Sequence, residues 1–214
     1  MLLYDYTRSS ACYRVRIALA LKGIEPERHN VMLLENQQRD PAYLARNPQG
    51  LIPALAVDDR LLTQSYAIID WLDATYPDPL LIPVEPGARA AAIARTMVIA
   101  ADVHPLNNLR VQRWLETELG ADADARRRWM HHWMAEGFAA LEAMATGDAA
   151  AVAAGPFLGG AAPDISDVYL VPQLVNARRF GLSLDAYPRL RAAEAACLAL
   201  DAFATTHPDR PAAA

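Results

Sequence analysis

In "RSSACYRVRIALALKG", residues 8–23, two serines and a cysteine stand directly before an apolar run carrying arginines. Two chemistries open from that spacing. A thiol at a helix start is a plausible nucleophile, because the positive end of the helix dipole favours its thiolate. A serine there either caps the helix by accepting a backbone N–H, or lends its hydroxyl proton to an anion held at the same place. The residue types alone leave Cys12 and the serines as rivals. Elsewhere, "DISD" at 164–167 is an aspartate version of the capping box, with Asp164 as cap and Asp167 at the third helical position. That motif nucleates a core helix rather than doing chemistry. His131 and His132 are adjacent, so on a helix they point about 100° apart and make poor co-ligands. With no metal-spaced cysteine pair, no nucleotide-phosphate loop and no dinucleotide glycine fingerprint, no metal is expected.

The elements that must position these residues fall into two groups. "MLLYDY" reads as a strand, and 11–23 as a helix with Gly23 past its end. "RHNVML" is a second strand and "DPAYLARNP" a short helix. "IPALAVDDRLLTQ" is two strands turning at Asp58–Asp59, and "SYAIIDWLDATYP" a helix opened by Ser65. The order βαβ, short α, ββα fits a small α/β sandwich. The stretch "YPDPLLIPVEPG" carries four prolines and a glycine and reads as a linker. From residue 88 the periodicity is helical, with helices expected over 88–119 (kinked at Pro105), 123–146, 165–180 and 188–204. The domains expected are thus 1–80, a linker 81–87, and an all-helical 88–214, with a site in the cleft between them. The tail "RPAAA" is alanine-rich.

The bulk numbers narrow the function classes. The chain has 214 residues, 53 % of them apolar and 21 % charged, which describes an ordinary globular protein. A net charge of −5 argues against nucleic acid as a partner, so an anionic ligand must be met by a local arginine cluster. "AAAIARTMVIAADVHPL" is interrupted by Arg95, Asp102 and His104, which makes it a buried helix and not a membrane span. "MLLYDYTRSS" lacks the basic and apolar regions of a secretory signal, and two cysteines make no disulfide framework. The cytoplasm is the default expectation.

Three motifs resemble the zeta class of the glutathione transferase superfamily. "RSSACYRVRIALALKG" is similar to the class signature Ser-Ser-Cys-X-(Trp/His)-Arg-Val-Arg-Ile-Ala-Leu. "NPQGLIPAL" followed by "QSYAIIDWL" resembles the family's glutathione site. "DVHPLNNLRV" and "YLVPQLVNARRF" resemble helices of zeta-class maleylacetoacetate and maleylpyruvate isomerases. The resemblance spans essentially the whole chain. It implies a thioredoxin-like βαβ-ββα domain followed by a helical glutathione-transferase domain, an α/β plus all-α protein. It also implies a homodimer.

What the resemblance implies for single residues follows their chemistry. Ser9, with Ser10 beside it, matches the catalytic serine, whose hydroxyl donates to the glutathione sulfur, so the nucleophile belongs to the cofactor. Pro53 falls where the family has a cis-proline, leaving Ile52 to pair its backbone with the cysteinyl part of glutathione. Gln64 and Ser65, opening a helix, suit the γ-glutamyl carboxylate. His104 and Asn108 fall where the family contacts glutathione and substrate, Asn107 lying between them. Arg8, Asn108, Arg110 and Arg179 are the substrate residues, guanidinium forks pairing with the carboxylates of a maleyl-type keto acid. Arg178 reads as a solvated charge, and Tyr13, Arg14 and Arg16 as helix packing and surface charge. The class cysteine falls at Ala11 here; Cys12, one residue on, is rotated by about 100° and does not replace it.

The activity implied is glutathione-dependent cis–trans isomerisation, with maleylacetoacetate favoured over maleylpyruvate. The rivals are a general transferase conjugating or dehalogenating electrophiles, a thiol–disulfide exchanger using Cys12, and a non-catalytic binding protein. No Cys-X-X-Cys pair supports the exchanger.

Overall fold

The computed structural model describes residues 1–210, so the tail residues 211–214 lie outside the described part. The chain forms two compact units, Met1–Leu81 together with Leu200 onward, and Ile82–Ala199.

The first unit is built on a four-stranded sheet in the order β2-β1-β3-β4. β1 (Leu2–Asp5) runs into α1 (Ser10–Leu21) and returns as β2 (Glu27–Asn30), parallel to β1 with Leu2 opposite Glu27. After the short α2 (Pro41–Leu44), β3 (Ala54–Val57) pairs antiparallel with β1, and β4 (Arg60–Thr63) antiparallel with β3. α3 (Ser65–Thr75) follows directly. The β3–β4 turn falls at the expected aspartates, Asp58 taking a positive φ of 50° that aspartate tolerates better than most residues. β2 is shorter than "RHNVML" suggests: its four residues are all exposed on the sheet edge, while the buried Val31 beyond it donates its N–H to the Asp5 carbonyl at 2.8 Å.

α1 is the centre of this unit. It packs against α3 and against α10 (Asp201–Thr205), the helix that the chain returns at its end. All nine residues from Ala11 to Leu19 are buried, because a helix apolar nearly all round needs cover on every side. Arg14 and Arg16 go inside with it, at 2 % and 6 % exposure, which corrects the surface-charge reading of both. Tyr13 is buried too, and its hydroxyl donates to the Phe203 carbonyl of α10 at 3.0 Å. Lys22, just past α1, pairs with Asp73 at 2.7 Å and donates to the Tyr76 and Pro79 carbonyls. Asp73 in turn accepts the Leu81 N–H, so the proline-rich stretch is tied down at both ends.

The second unit is helical. The single helix expected over 88–119 is instead α4 (Pro86–Met97), a wider π-helical turn over Val98–Val103, and α5 (Leu109–Leu119). The break has a local cause. Pro105 brings no N–H and crowds the preceding turn, and the His104 N–H reaches five residues back to the Ile99 carbonyl at 2.8 Å. Asn108 then starts a new helix by capping the Arg110 N–H at 3.1 Å. α6 (Ala123–Gly147) and α7 (Ala149–Ala154) follow, α7 lying between the expected helices 123–146 and 165–180 and nucleated by Asp148 accepting the Ala151 N–H. α8 (Ile165–Arg179) runs through the core and is opened by the full capping box of Asp164 and Asp167. The helix expected over 188–204 ends at Leu198 as α9 (Pro188–Leu198). Leu200 is extended, and α10 belongs to the first unit.

Candidate active site

At the N-terminus of α1 the rivalry between cysteine and serine is decided by burial. Cys12 is fully buried, in a cluster with Tyr4, Val31, Tyr43, Ile52 and Ala54. Desolvation, with the Asp5 carboxylate adding to it, pushes its thiol up to about 12, so it stays protonated and unreactive at neutral pH. Ser9 is the N-cap. Its Oγ accepts the Cys12 N–H at 3.2 Å, its own N–H donates to the Tyr6 carbonyl at 2.9 Å, and its carbonyl receives the Tyr13 N–H. A capping hydroxyl acts as acceptor and keeps its proton for donation, so capping and holding an anion are compatible. No acidic residue stands in the first turn to oppose an anion there. Ser10 begins the helix, half-buried, and Arg8 is exposed on the turn before it.

The second segment is the approach to β3. The Ile52–Pro53 bond is cis, and the sheet ladder begins only at Ala54, leaving the Ile52 backbone outside it. The chain entering Ile52 is pinned by two side chains that sequence reasoning did not single out: the Tyr43 hydroxyl and the Asn47 amide both donate to the Leu51 carbonyl, at 2.7 and 2.8 Å. Gly50 turns the chain with a φ of +59°, and a Cβ there would lie 2.9 Å from the Gln38 carbonyl.

The third segment is the start of α3. Gln64 holds a φ of +69°, a strained value for a residue with a side chain, and its amide donates to the Gln49 Oε1 at 2.8 Å. α3 has no side-chain cap and no acidic residue in its first turn. Ser65 is buried, with the Arg14 Nη1 3.5 Å from its Oγ. A carboxylate suits the N–H end of this helix. The three segments meet around α1, because Ile52 shares a cluster with Cys12 and Arg14 reaches Ser65. Ser9, Ile52, Pro53, Gln64 and Ser65 therefore belong to one region of the first unit. A hydrogen-bond donor for a thiolate, a strand edge outside the ladder and a carboxylate-binding helix end are what a glutathione-like peptide requires.

In the second unit, His104 is half-buried at the end of the π-helical turn, and Asn107 is buried with its amide donating to the Val103 carbonyl at 2.8 Å. Asn108 is the cap of α5 and Arg110 is exposed in its first turn, so these three expected contacts lie on one short stretch. Arg179 lies in the last turn of α8, half-buried. Its neighbour Arg178 is no free surface charge: its guanidinium forks onto both oxygens of the buried Glu194, one bond measuring 2.6 Å. Among the described residues no cluster of His, Cys, Asp and Glu is placed to hold a metal ion, and no helix is long and apolar enough to cross a membrane.

The buried charges around Ser9 are what sequence reading missed. Asp5 at the end of β1 pairs with Arg16 at 2.6 Å and with Arg28 of β2. A signal for them existed: Arg14 and Arg16 interrupt a helix with no polar face to put them on.

Comparison with known proteins identifies the family. Residues 3–80 match the family described as Glutathione S-transferase, N-terminal domain. The chain is 44 % identical over 220 residues to a maleylacetoacetate isomerase of Pseudomonas aeruginosa, covering 100 % of both chains. Its fold superposes with a TM-score of 0.95 on the holo structure of a maleylpyruvate isomerase, a bacterial zeta-class glutathione S-transferase, at 40 % identity over 100 % of each chain. A maleylacetoacetate isomerase of Methylobacterium extorquens AM1, solved with malonate and glutathione bound, gives a TM-score of 0.94 at 38 % identity, covering 99 % of this chain and 98 % of that one.

Proposed function

Because the chain belongs to the zeta class of glutathione transferases, we propose that it is a glutathione-dependent cis–trans isomerase turning maleylacetoacetate into fumarylacetoacetate. The observation that carries this reading is Ser9 at the cap of α1, with the cysteine beside it buried and protonated. The protein's own thiol is thereby withdrawn from the chemistry. Glutathione, when bound, supplies a thiolate that adds reversibly to the cis double bond, which rotates as a single bond before the sulfur leaves.

The chain's residues have four tasks in this reaction. The Ser9 hydroxyl, backed by Ser10 and the N-terminus of α1, donates to the sulfur and holds it ionised. Ile52, beside Pro53, offers its backbone to the cysteinyl amide as an added strand would. Gln64 and Ser65 hold the γ-glutamyl carboxylate at the N-terminal end of α3, and His104 and Asn108 add further contacts to glutathione. Arg8, Arg110 and Arg179, with Asn108, hold the carboxylates of the keto acid and favour the negative charge that develops during addition. A cytoplasmic location and a homodimer are part of the same reading, the first supported by two free, buried cysteines and the second by the family.

The likeness to a maleylpyruvate isomerase favours maleylpyruvate as the second substrate. Turnover of both acids, with and without glutathione, tests the proposal. Activity that collapses without glutathione and is faster on maleylacetoacetate supports it. Isomerisation persisting in a thiol-free assay overturns the mechanism, and conjugation of neutral electrophiles outpacing both acids favours the general transferase.

A further inference from the structure

The tight turn that carries Arg8 and Ser9 has no regular structure of its own, yet it must hold two functional groups in place. Its backbone is fixed from behind by one side chain. Arg16, two turns along α1 and 6 % exposed, sends its guanidinium back to the turn. Nη2 donates to the Thr7 carbonyl at 2.9 Å, and Nη1 to the Tyr6 carbonyl at 3.4 Å and the Asp5 carboxylate at 2.6 Å. The Tyr6 carbonyl is also the acceptor for the Ser9 N–H at 2.9 Å. One fork therefore grips the peptide planes on both sides of Thr7, immediately before Arg8.

The fork is itself aimed. Asp5, 2 % exposed at the end of β1, gives one oxygen to Arg16 and the other to Arg28 of β2, whose Nε lies at 2.9 Å. The face of the Tyr13 ring lies 5.4 Å from the Arg16 guanidinium carbon. Asp5 thus holds the Arg16 guanidinium by one oxygen while Arg28 takes the other, which fixes the direction of the fork. A lysine does not reproduce this, since its single ammonium nitrogen replaces two separated nitrogens, Nη1 and Nη2, that bond different acceptors.

We propose that Arg16, aimed by Asp5, is a positioning residue for the reaction, holding the 6–9 turn so that Ser9 meets the glutathione sulfur and Arg8 meets the substrate. This rests on the reading of Ser9 given above. Arg16 touches neither ligand; it acts through the backbone that presents them. Its removal misplaces the hydroxyl rather than deleting it, and a displacement on the order of 1 Å costs about 100-fold in rate.

The test is the ionisation of bound glutathione, followed by thiolate absorbance as pH is varied, in R16K, D5N, R28Q and S9A. R16K raises the pH at which the bound thiol ionises and lowers kcat about 10- to 100-fold, while glutathione affinity changes far less. D5N moves both readouts in the same direction by less, and serves in place of R16K if that variant fails to fold. R28Q removes the other partner of Asp5 without touching the turn, lowers the melting temperature and leaves the thiol unchanged. If S9A shifts the thiol but R16K and D5N do not, the inference about Arg16 is wrong. If S9A leaves the thiol unchanged, the reading of Ser9 fails instead. A loss in R16K or D5N that tracks melting temperature alone, with R28Q behaving alike, assigns the cluster a purely structural role and overturns the proposal.

Discussion

Replacing Ser9 by alanine removes two things at once, and the structure lets them be separated. As N-cap, its Oγ accepts the Cys12 N–H at 3.2 Å, a long bond. Loss of such a cap costs about 1 kcal/mol, or roughly 2–4 °C of melting temperature in a chain of this size. As donor to a thiolate, the same hydroxyl makes a hydrogen bond to a charged partner, worth about 1.5–3 kcal/mol. At about 1.4 kcal/mol per pKa unit, losing it raises the pKa of bound glutathione by roughly 1–2 units. The sign follows directly: a higher thiol pKa means less thiolate at neutral pH, so kcat falls about 10- to 100-fold and the acid limb of the pH profile moves upward. Activity therefore recovers in S9A as the pH is raised. S9G separates the effects, since glycine caps a helix at a cost of only a few tenths of a kcal/mol but has no hydroxyl. It keeps the melting temperature and loses the rate. Thiolate titrations of S9A and S9G that superimpose on the unmodified protein, with only melting temperature reduced, refute the assignment and leave Ser9 a cap.

Further outcomes follow from the buried groups. Cys12, with its thiol pushed up to about 12, resists alkylation in the folded protein, and C12A keeps isomerase activity; rapid labelling of the native protein by iodoacetamide contradicts this. R178A strands the buried Glu194 and costs about 2 kcal/mol, discounted because Arg178 is half-exposed, read as a lower urea midpoint with kcat/KM intact. R179A does the reverse, cutting kcat/KM for the keto acid more than for a neutral electrophile; equal losses refute a carboxylate contact. Asp167 is pushed up to about 7 by burial first and by Asp164 second. The native state thus keeps a proton that the unfolded chain releases near its ordinary value of 3.8, and this group's contribution to stability falls as pH rises from about 4 to 7. Urea unfolding across that window shows the fall in the unmodified protein and not in D167N, whose two curves otherwise differ by a constant; parallel curves refute the shift.

Most of the first unit was legible because its signals are local. Alternating apolar residues gave the strands, Asp58–Asp59 the turn, and Gln64–Ser65 the start of α3. The capping box at Asp164 likewise announced α8. What escaped was whatever depends on a distant partner. The periodicity of 88–119 does not reveal the π-helical turn, because the effect of Pro105 depends on which carbonyls its ring crowds. The run 188–204 is helical throughout in composition, and only the docking of Phe203 against α1 divides it at Leu200. The site divided in the same way. The candidate residues Ser9, Ile52, Gln64 and Ser65 stand in recognisable motifs, whereas Tyr43, Asn47 and Arg16 act through backbone carbonyls that a sequence does not mark. The charge of Arg16 suggested solvent, yet a helix without a polar face had nowhere to expose it.

The return of α10 to α1 also sets an order of events during synthesis. The segment that carries Ser9, Ile52 and Ser65 leaves the ribosome first, but Phe203, fully buried and with its carbonyl accepting the Tyr13 hydroxyl, is made only after the whole helical unit. Through most of translation α1 therefore waits with one flank uncovered, an apolar surface open to chaperones or to a neighbouring nascent chain. A messenger truncated between codons 64 and 200 encodes every strand of the first unit's sheet but not its closing helix.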